Sequence, residues 1–456
     1  MNVLQKIVPL LVLLFATFVF GGQQSPFIRE LPPAAATINN APNSRSSEIV
    51  VGDARRGDDA SSGIAFRHVA QQSDRKTDVT REVLAQSASP AKRESVEGSS
   101  ATTGGQTWKS EELSLLAVGL GVGDVNGDGK NELVIVDPTT VYVYSLAGGK
   151  LSLLAQYSAR PLEIKSVDVA RIRKQGPERI YVSAQNRGAI ASFVLEFRGA
   201  NLVPVVQDYP YFLRVINYPT LGPVLLGQKR GVKAIYDGPI YRLTDKGDDL
   251  AVHERFGVPL KIPIFGFAIG DFGGDRKPII AVYDRDDHLR MYKPDGTRLY
   301  RSTGYFGGSD VILRLLGPET QPLDKYGEDG EVIFSRPRIM SLPTGNGPAN
   351  QIVAITHASK TMRLMSRTKM LDEGQIVGLV WNGDAAEEKW STPKIQGTVV
   401  DFAVTTLPEL PGRRLVTLER RTTDWLAFLR SRSLVRVYDL DAVVRAGLAS
   451  ERLQRD

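Results

Sequence analysis

The feature that most constrains this chain is a phrase that recurs from residue 106 onward. An apolar β-like run leads into an Asp, a polar or glycine-rich turn follows, and a run of β-branched residues comes next. The fullest copies are residues 117–157 (AVGLGVGDVNGDGKNELVIVDPTTVYVYSLAGGKLSLLAQY) and 266–300 (GFAIGDFGGDRKPIIAVYDRDDHLRMYKPDGTRLY). Both carry Gly-Asp-hydrophobic-x-Gly-Asp, then an apolar strand, a Tyr-bearing strand and a Gly turn. Degenerate copies occupy 164–197 and 398–419, the latter continuing through 433–441, and two more fit at 221–244 and 336–365.

Each copy holds about four short β-like runs, and Asp124 lies 44 residues before Asp168. Repeats of roughly 40–50 residues with four strands each point to a propeller. The expected fold is therefore all-β, a β-propeller over residues 106–441. Six copies give six blades, with seven as the alternative. A β-sandwich array is the competing architecture, but it would show Greek-key spacings and no fixed leading Asp. Residues 107–116 are placed to add an outer strand to the last blade, which would close the ring and remove an exposed edge. Residues 309–335 read as an insertion, and residues 442–456 as a short terminal helix.

What precedes the repeats is of another kind. Lys6 is followed by a fourteen-residue apolar run, Ile7–Phe20, shorter than the roughly 20 residues that span a bilayer. Residues 1–22 thus read as a secretory signal, with an uncleaved signal anchor as the alternative. No later segment reads as a membrane span. Residues 23–105 are rich in Ser, Ala, Asn, Pro and Gly, and ten basic residues balance ten acidic ones from 26 to 105. Such a segment buries too little apolar surface to offset its ordering entropy. It reads as a mostly disordered tether, with one weak helical pattern at Thr77–Gln86; the alternative is the remnant of a small domain or a strand that docks on a partner. The chain has no cysteine, which excludes a disulfide scaffold, a thiolate metal site and a cysteine nucleophile. The net charge of +6 lies mostly after residue 105.

One loop carries metal chemistry. Asp124, Asn126, Asp128 and Glu132 put side-chain oxygens at positions one, three, five and nine of a glycine-punctuated turn. Calcium takes six to eight oxygens and tolerates irregular geometry. Gly127 and Gly129 permit the backbone twist, and the Lys130 carbonyl occupies position seven. Close carboxylates repel one another, and a divalent cation removes that cost. An EF-hand does not fit, since position twelve is Ile135 and a strand, LVIV, follows. An Asx-rich turn with solvated carboxylates is the competing reading.

The loop and its repeat setting resemble the FG-GAP/VCBS family, which includes integrin α-chain propellers and exported bacterial surface proteins. The resemblance covers roughly residues 110–440, with the full loop in one copy only. It implies Asp124, Asn126, Asp128 and Glu132 as side-chain calcium ligands and Lys130 as a carbonyl ligand, the Lys130 side chain pointing to solvent. In the 266–300 copy Asp271 and Asp275 match, but Gly273 and Ile279 replace two ligands, so a metal-free turn is expected. Asp168 and Asp401 are expected to cap strand ends or bind turn amides.

No hydrolase or nucleotide-binding motif occurs, and His68, His253, His288 and His357 are scattered. The most basic stretch, residues 419–436, reads as a solvated strand face, with an anionic surface as the alternative partner. Trp108, Trp381, Trp390 and Trp425 could stack on sugars, although burial between blades is the default. The leading function is an exported, non-enzymatic propeller that binds a protein or glycan partner in the cell envelope, periplasm or exterior, with one structural calcium and no nucleic acid. The alternatives are a periplasmic envelope-assembly scaffold and a hydrolase or lyase with its site at the central channel.

Overall fold

The computed structural model describes residues 105–231, 235–236, 238–259, 261–314, 333–345, 347–358, 371, 373–421 and 432–455. The expected signal, nearly all of the tether, the pattern at 77–86, His68 and Trp425 lie outside them. Among the described residues, no helix is long and apolar enough to cross a membrane.

The repeats fold as six four-stranded antiparallel blades. The innermost strands, blades 1 to 6, are Gly119–Gly123, Glu163–Ala170, Phe212–Tyr218, Phe267–Gly270, Met340–Pro343 and Thr398–Leu407. Burial grades outward as the sequence patterns require. In blade 1 the second strand, Glu132–Val136, is buried throughout because it is covered on both faces. The third, Thr140–Ala147, largely alternates, and the outer strand, Lys150–Ser158, is mostly exposed.

Six apolar cores hold the ring, one between each neighbouring pair of blades. Val134 and Val143 of blade 1 meet Val167 and Val182 of blade 2. The series continues around to Leu120 and Ile135 of blade 1 against Val416 and Val437 of blade 6. Six interfaces for six blades define a closed ring, which settles the choice between six and seven. Blade 1 lies very close to blade 2: a Cβ on Gly121 would fall 2.7 Å from Val169 Cγ2.

Closure uses the strand expected for it. Gln106–Lys109 pairs with Ser433–Asp439 as the outermost strand of blade 6. Ser433 Oγ donates to the Leu115 carbonyl at 2.8 Å and accepts from the Ala117 amide at 3.1 Å. Glu112 accepts from Arg421 at 2.9 Å and from Arg432 at 2.6 Å. The described ends of the basic stretch 419–436 are thus not a merely solvated face. Arg420 pairs with Asp310, and Arg436 binds Glu419 at 2.8 Å.

Two copies were framed differently from the blades. The copy at 221–244 omits the inner strand of blade 3, which lacks the leading Asp and glycine loop. The copy at 336–365 holds only the first two strands of blade 5, which resumes at Glu373–Trp381. The described ends of the insertion at 309–335 pair as a ribbon, Ile312–Leu313 with Ile333–Phe334. Lys165 donates to the Ile312 carbonyl at 2.8 Å and Gln185 to the Arg314 carbonyl at 2.8 Å. With Arg420 of blade 6 on Asp310, the ribbon spans blades 2 and 6 at the N-terminal ends of the inner strands. The chain ends in a helix, Leu440–Arg455, whose Leu440 and Val443 pack into the core between blades 5 and 6.

Candidate functional site

The five residues read as ligands lie along the turn that joins the first two strands of blade 1, with Glu132 opening the second strand; among the described residues no three acidic or histidine side chains converge as a preformed metal cage. Asp124 accepts from the Gly127 amide at 2.7 Å and the Gly129 amide at 3.1 Å. Asn126 accepts from the Asp128 amide at 2.8 Å, and Asp128 from the Lys130 amide at 2.8 Å. Gly127 and Gly129 sit at φ of 81° and 83°, where a side chain is strained. The Lys130 side chain is exposed.

Glu132 closes the loop from beneath and is only 2% exposed. It accepts from the Val125 amide at 3.1 Å and from Asn126 Nδ2 at 3.2 Å. Burial, reinforced by Asp128 and Asp124, pushes its pKa up to about 7. A buried carboxylate beside two others is under-compensated in positive charge. The hard oxygen donors around it suit a calcium ion. The loop is also tied sideways: Asn131 donates to Thr405 Oγ1 at 2.9 Å and the Thr406 carbonyl at 3.0 Å in blade 6. The Glu178 amide of blade 2 donates to the Asp124 carbonyl at 3.0 Å.

At the corresponding loop of blade 4, Asp271 accepts from the Arg276 amide at 2.9 Å. Lys277 Nζ lies 3.1 Å from Asp275, so an ammonium of this chain sits on one of the two remaining carboxylates. Ile279, at position nine, is buried in the second strand.

Asp168 and Asp401 differ from the expectation in kind. They are not turn residues equivalent to Asp124; each lies inside an inner strand, at the ring axis. Each accepts a backbone N–H from the next blade: Val215 to Asp168 at 2.9 Å and Leu120 to Asp401 at 3.1 Å. Between them lies Arg338, just before the inner strand of blade 5. Its Nη1 donates to Asp168 at 2.7 Å, and its Nε and Nη2 to Asp401 at 2.9 and 3.1 Å. Nη2 also donates to the Leu120 carbonyl at 2.9 Å. Burial alone would lower the Arg338 pKa, but the two carboxylates outweigh it and hold the guanidinium firmly charged. Sequence reasoning missed this clamp. The available signal was a single charge within an apolar run in several copies: SVDVA, FLRVINY and VVDFAV.

Above the clamp, toward the C-terminal ends of the inner strands, lies a cavity of about 310 Å³ bordered by all six blades. The described histidines do not converge on it. His253 is exposed on the outer strand of blade 3, His288 packs at a tilt against Tyr305, and His357 is buried, accepting from the Val399 amide at 3.1 Å. Trp390 is buried between blades 5 and 6 and donates to Gln351 at 2.7 Å. Trp381 packs edge-on against Tyr300, and Trp108 donates to the Gly149 carbonyl at 2.8 Å.

No model of a known protein family matches the chain, and no curated protein matches it. Among solved structures it is similar to Sqt1 of Saccharomyces cerevisiae, at 8% identity and a TM-score of 0.35, over 74% of this chain and 100% of that one. It is similar to BBS1N, solved in complex with ARL6DN, at 11% identity and a TM-score of 0.36, over 73% and 95% of the two chains. The Dos1 propeller aligns at 10% identity and a TM-score of 0.31, over 71% and 68%. The ring itself is read from the strand pairing and the six cores.

Proposed function

We propose that this chain is an exported repeat propeller of the FG-GAP/VCBS type that binds a protein or glycan partner in the cell envelope, without catalysis. The observation that carries this reading is the state of the axial carboxylates. A channel hydrolase would need carboxylates free to exchange protons or attack. Asp168 and Asp401 spend their oxygens on Arg338 and on backbone amides, an arrangement suited to holding strands together. The loops at the strand ends are then the surface on which a partner can be read. Export rests on the character of residues 1–22, and reach from an anchor on the tether at 23–105.

We further propose one structural calcium. Asp124, Asn126, Asp128 and Glu132 would hold it with the Lys130 carbonyl; when bound, it neutralises the clustered carboxylates. The Asn131 and Glu178 bonds would pass that rigidity to blades 6 and 2.

Calorimetry tests the calcium. The intact chain is expected to bind one ion per molecule, and Asp128→Ala to bind none; no binding to the intact chain removes the proposal. For the binding role, the purified chain is crosslinked in envelope extracts and screened on glycan arrays. A saturable partner that survives Asp168→Asn supports binding, whereas turnover of a glycan or peptide that this substitution abolishes would replace it with catalysis.

A further inference from the structure

The axial cavity contains a buried cation that the clamp does not use. Arg214, in the inner strand of blade 3, is 4% exposed and lines the cavity. Its nearest acidic oxygen is Asp168 Oδ1, at 3.4 Å, and that atom already accepts from Arg338 at 2.7 Å. The other Asp168 oxygen accepts from the Val215 amide. Among the described residues the Arg214 Nε is buried without a hydrogen-bond partner, and Nη1 has only the long ion pair to Asp168. A buried guanidinium normally has its donors satisfied, and leaving them unmet costs free energy. Burial and the repulsion of Arg338 both work against its charge. Four axial groups therefore divide unequally: Arg338 hydrogen-bonds both aspartates, and Arg214 keeps only a longer ion pair to Asp168 at the cavity wall.

We propose that this cavity binds a small hydroxylated monocarboxylate, whose carboxylate is held by Arg214. A guanidinium matches a planar carboxylate with paired donors. The volume of about 310 Å³ lies at the lower end of small-ligand sites. Glu178 and Arg171 stand on the same wall and offset each other's charge, which leaves Arg214 as the cation open to an anionic ligand. Asn217 and Ser341 offer polar groups for hydroxyls, while Ile269 and Met340 supply apolar wall. Asn217 is exposed, which opens the site to solvent on the side of the blade 1 loop. The opposite side carries the ribbon of Ile312–Leu313 and Ile333–Phe334. This goes beyond the binding role above, naming a ligand class and an axial site separate from any loop-bound partner.

The test is calorimetry on the intact chain with glucuronate, glucose and inorganic phosphate as probes. It is run in EDTA so that a metal-bridged acid on the blade 1 loop does not register. Glucuronate is expected to bind at least about tenfold more tightly than glucose or phosphate, the scale of one charge-assisted pair. Arg214→Met is expected to weaken it by about tenfold or more, and Asn217→Ala by a smaller factor. Circular dichroism checks that each variant is folded. If Arg214→Met fails to fold, the ratio of glucuronate to glucose in the intact chain and the Asn217→Ala result decide. Equal binding of glucose and glucuronate overturns the proposal, as does no glucuronate binding, tighter phosphate binding, or a folded Arg214→Met that binds like the parent. A partner retained on the loops in any of these cases leaves the reading of the previous section standing.

Discussion

At the residue scale, Arg338 and Glu132 show how opposite charge environments are handled in one ring. Arg338, 11% exposed, is a cation between two buried carboxylates with each of its side-chain nitrogens engaged. Removing one partner of such a set leaves the others uncompensated, which typically costs about 3–5 kcal/mol. Arg338→Met should lose stability on that scale in urea unfolding, and adding Asp401→Asn should recover part of it. A single variant as stable as the parent would show that the clamp contributes no net stability. Glu132 is the reverse case, a carboxylate whose hydrogen-bond donors among the described residues are the Val125 amide and Asn126, both neutral. Its folded pKa of about 7 lies above the ordinary glutamate value of 4.5. In EDTA its contribution is therefore fully present below pH 4.5 and lost as pH rises through 7. By linkage this amounts to on the order of 2–3 kcal/mol across that window. The metal-free chain should lose stability from pH 5 to pH 8.5, and Glu132→Gln should flatten that slope. Calorimetric melts across the range check it; a slope unchanged in the variant assigns it to other groups.

At the element scale, the seam between blades 6 and 1 is the place where a ring can open. Ser433 is fully buried there and satisfies two backbone groups of the segment 113–117. Ser433→Ala should cost roughly 1–3 kcal/mol, the penalty for stranding buried polar groups, while Ser450→Ala on the exposed face of the terminal helix should cost little. Equal midpoints in urea would mean that the seam relaxes around the change. The elements also show what sequence can and cannot disclose. Second strands such as LVIV announce themselves because burial on both faces demands a continuous apolar run. The closing strand was legible because a ring with an unpaired last blade needs one. The inner strand of blade 3 was missed because Arg214 breaks its apolar pattern, and no glycine loop marks its end. Asp168 was aligned with Asp124 from similar local wording, although one lies within a strand and the other beyond it. The clamp was invisible for a deeper reason. Leu120, Asp168, Arg214, Arg338 and Asp401 become neighbours only when the ring closes, so no local spacing encodes their contact.

At the scale of the whole molecule, the proposed calcium loop and the closure seam form one mechanical unit. Asn131 is part of the loop, yet its side chain bonds Thr405 and Thr406 of blade 6. Across the next turn, Glu409 of blade 6 accepts from the Gly148 and Gly149 amides of blade 1 at 2.6 and 2.9 Å. A ring without disulfides has only packing and such bonds to resist opening. Ordering the loop should therefore stabilise the seam as well as the turn. A ligand that binds only the folded state adds RT ln(1 + [L]/Kd), so a site of about 0.1–1 mM affinity in 10 mM calcium adds roughly 1.4–2.7 kcal/mol. The melting temperature should rise in calcium and not in magnesium, since magnesium dehydrates reluctantly. Asp128→Ala should abolish the rise. Asn131→Ala should leave calcium binding intact by calorimetry but uncouple it from the seam. Hydrogen exchange at Leu113–Ala117 and Ser433–Val437 would then no longer slow on adding calcium. Protection that still increases in Asn131→Ala would mean that the loop reaches the seam through the packed core between blades 6 and 1, not through that side chain.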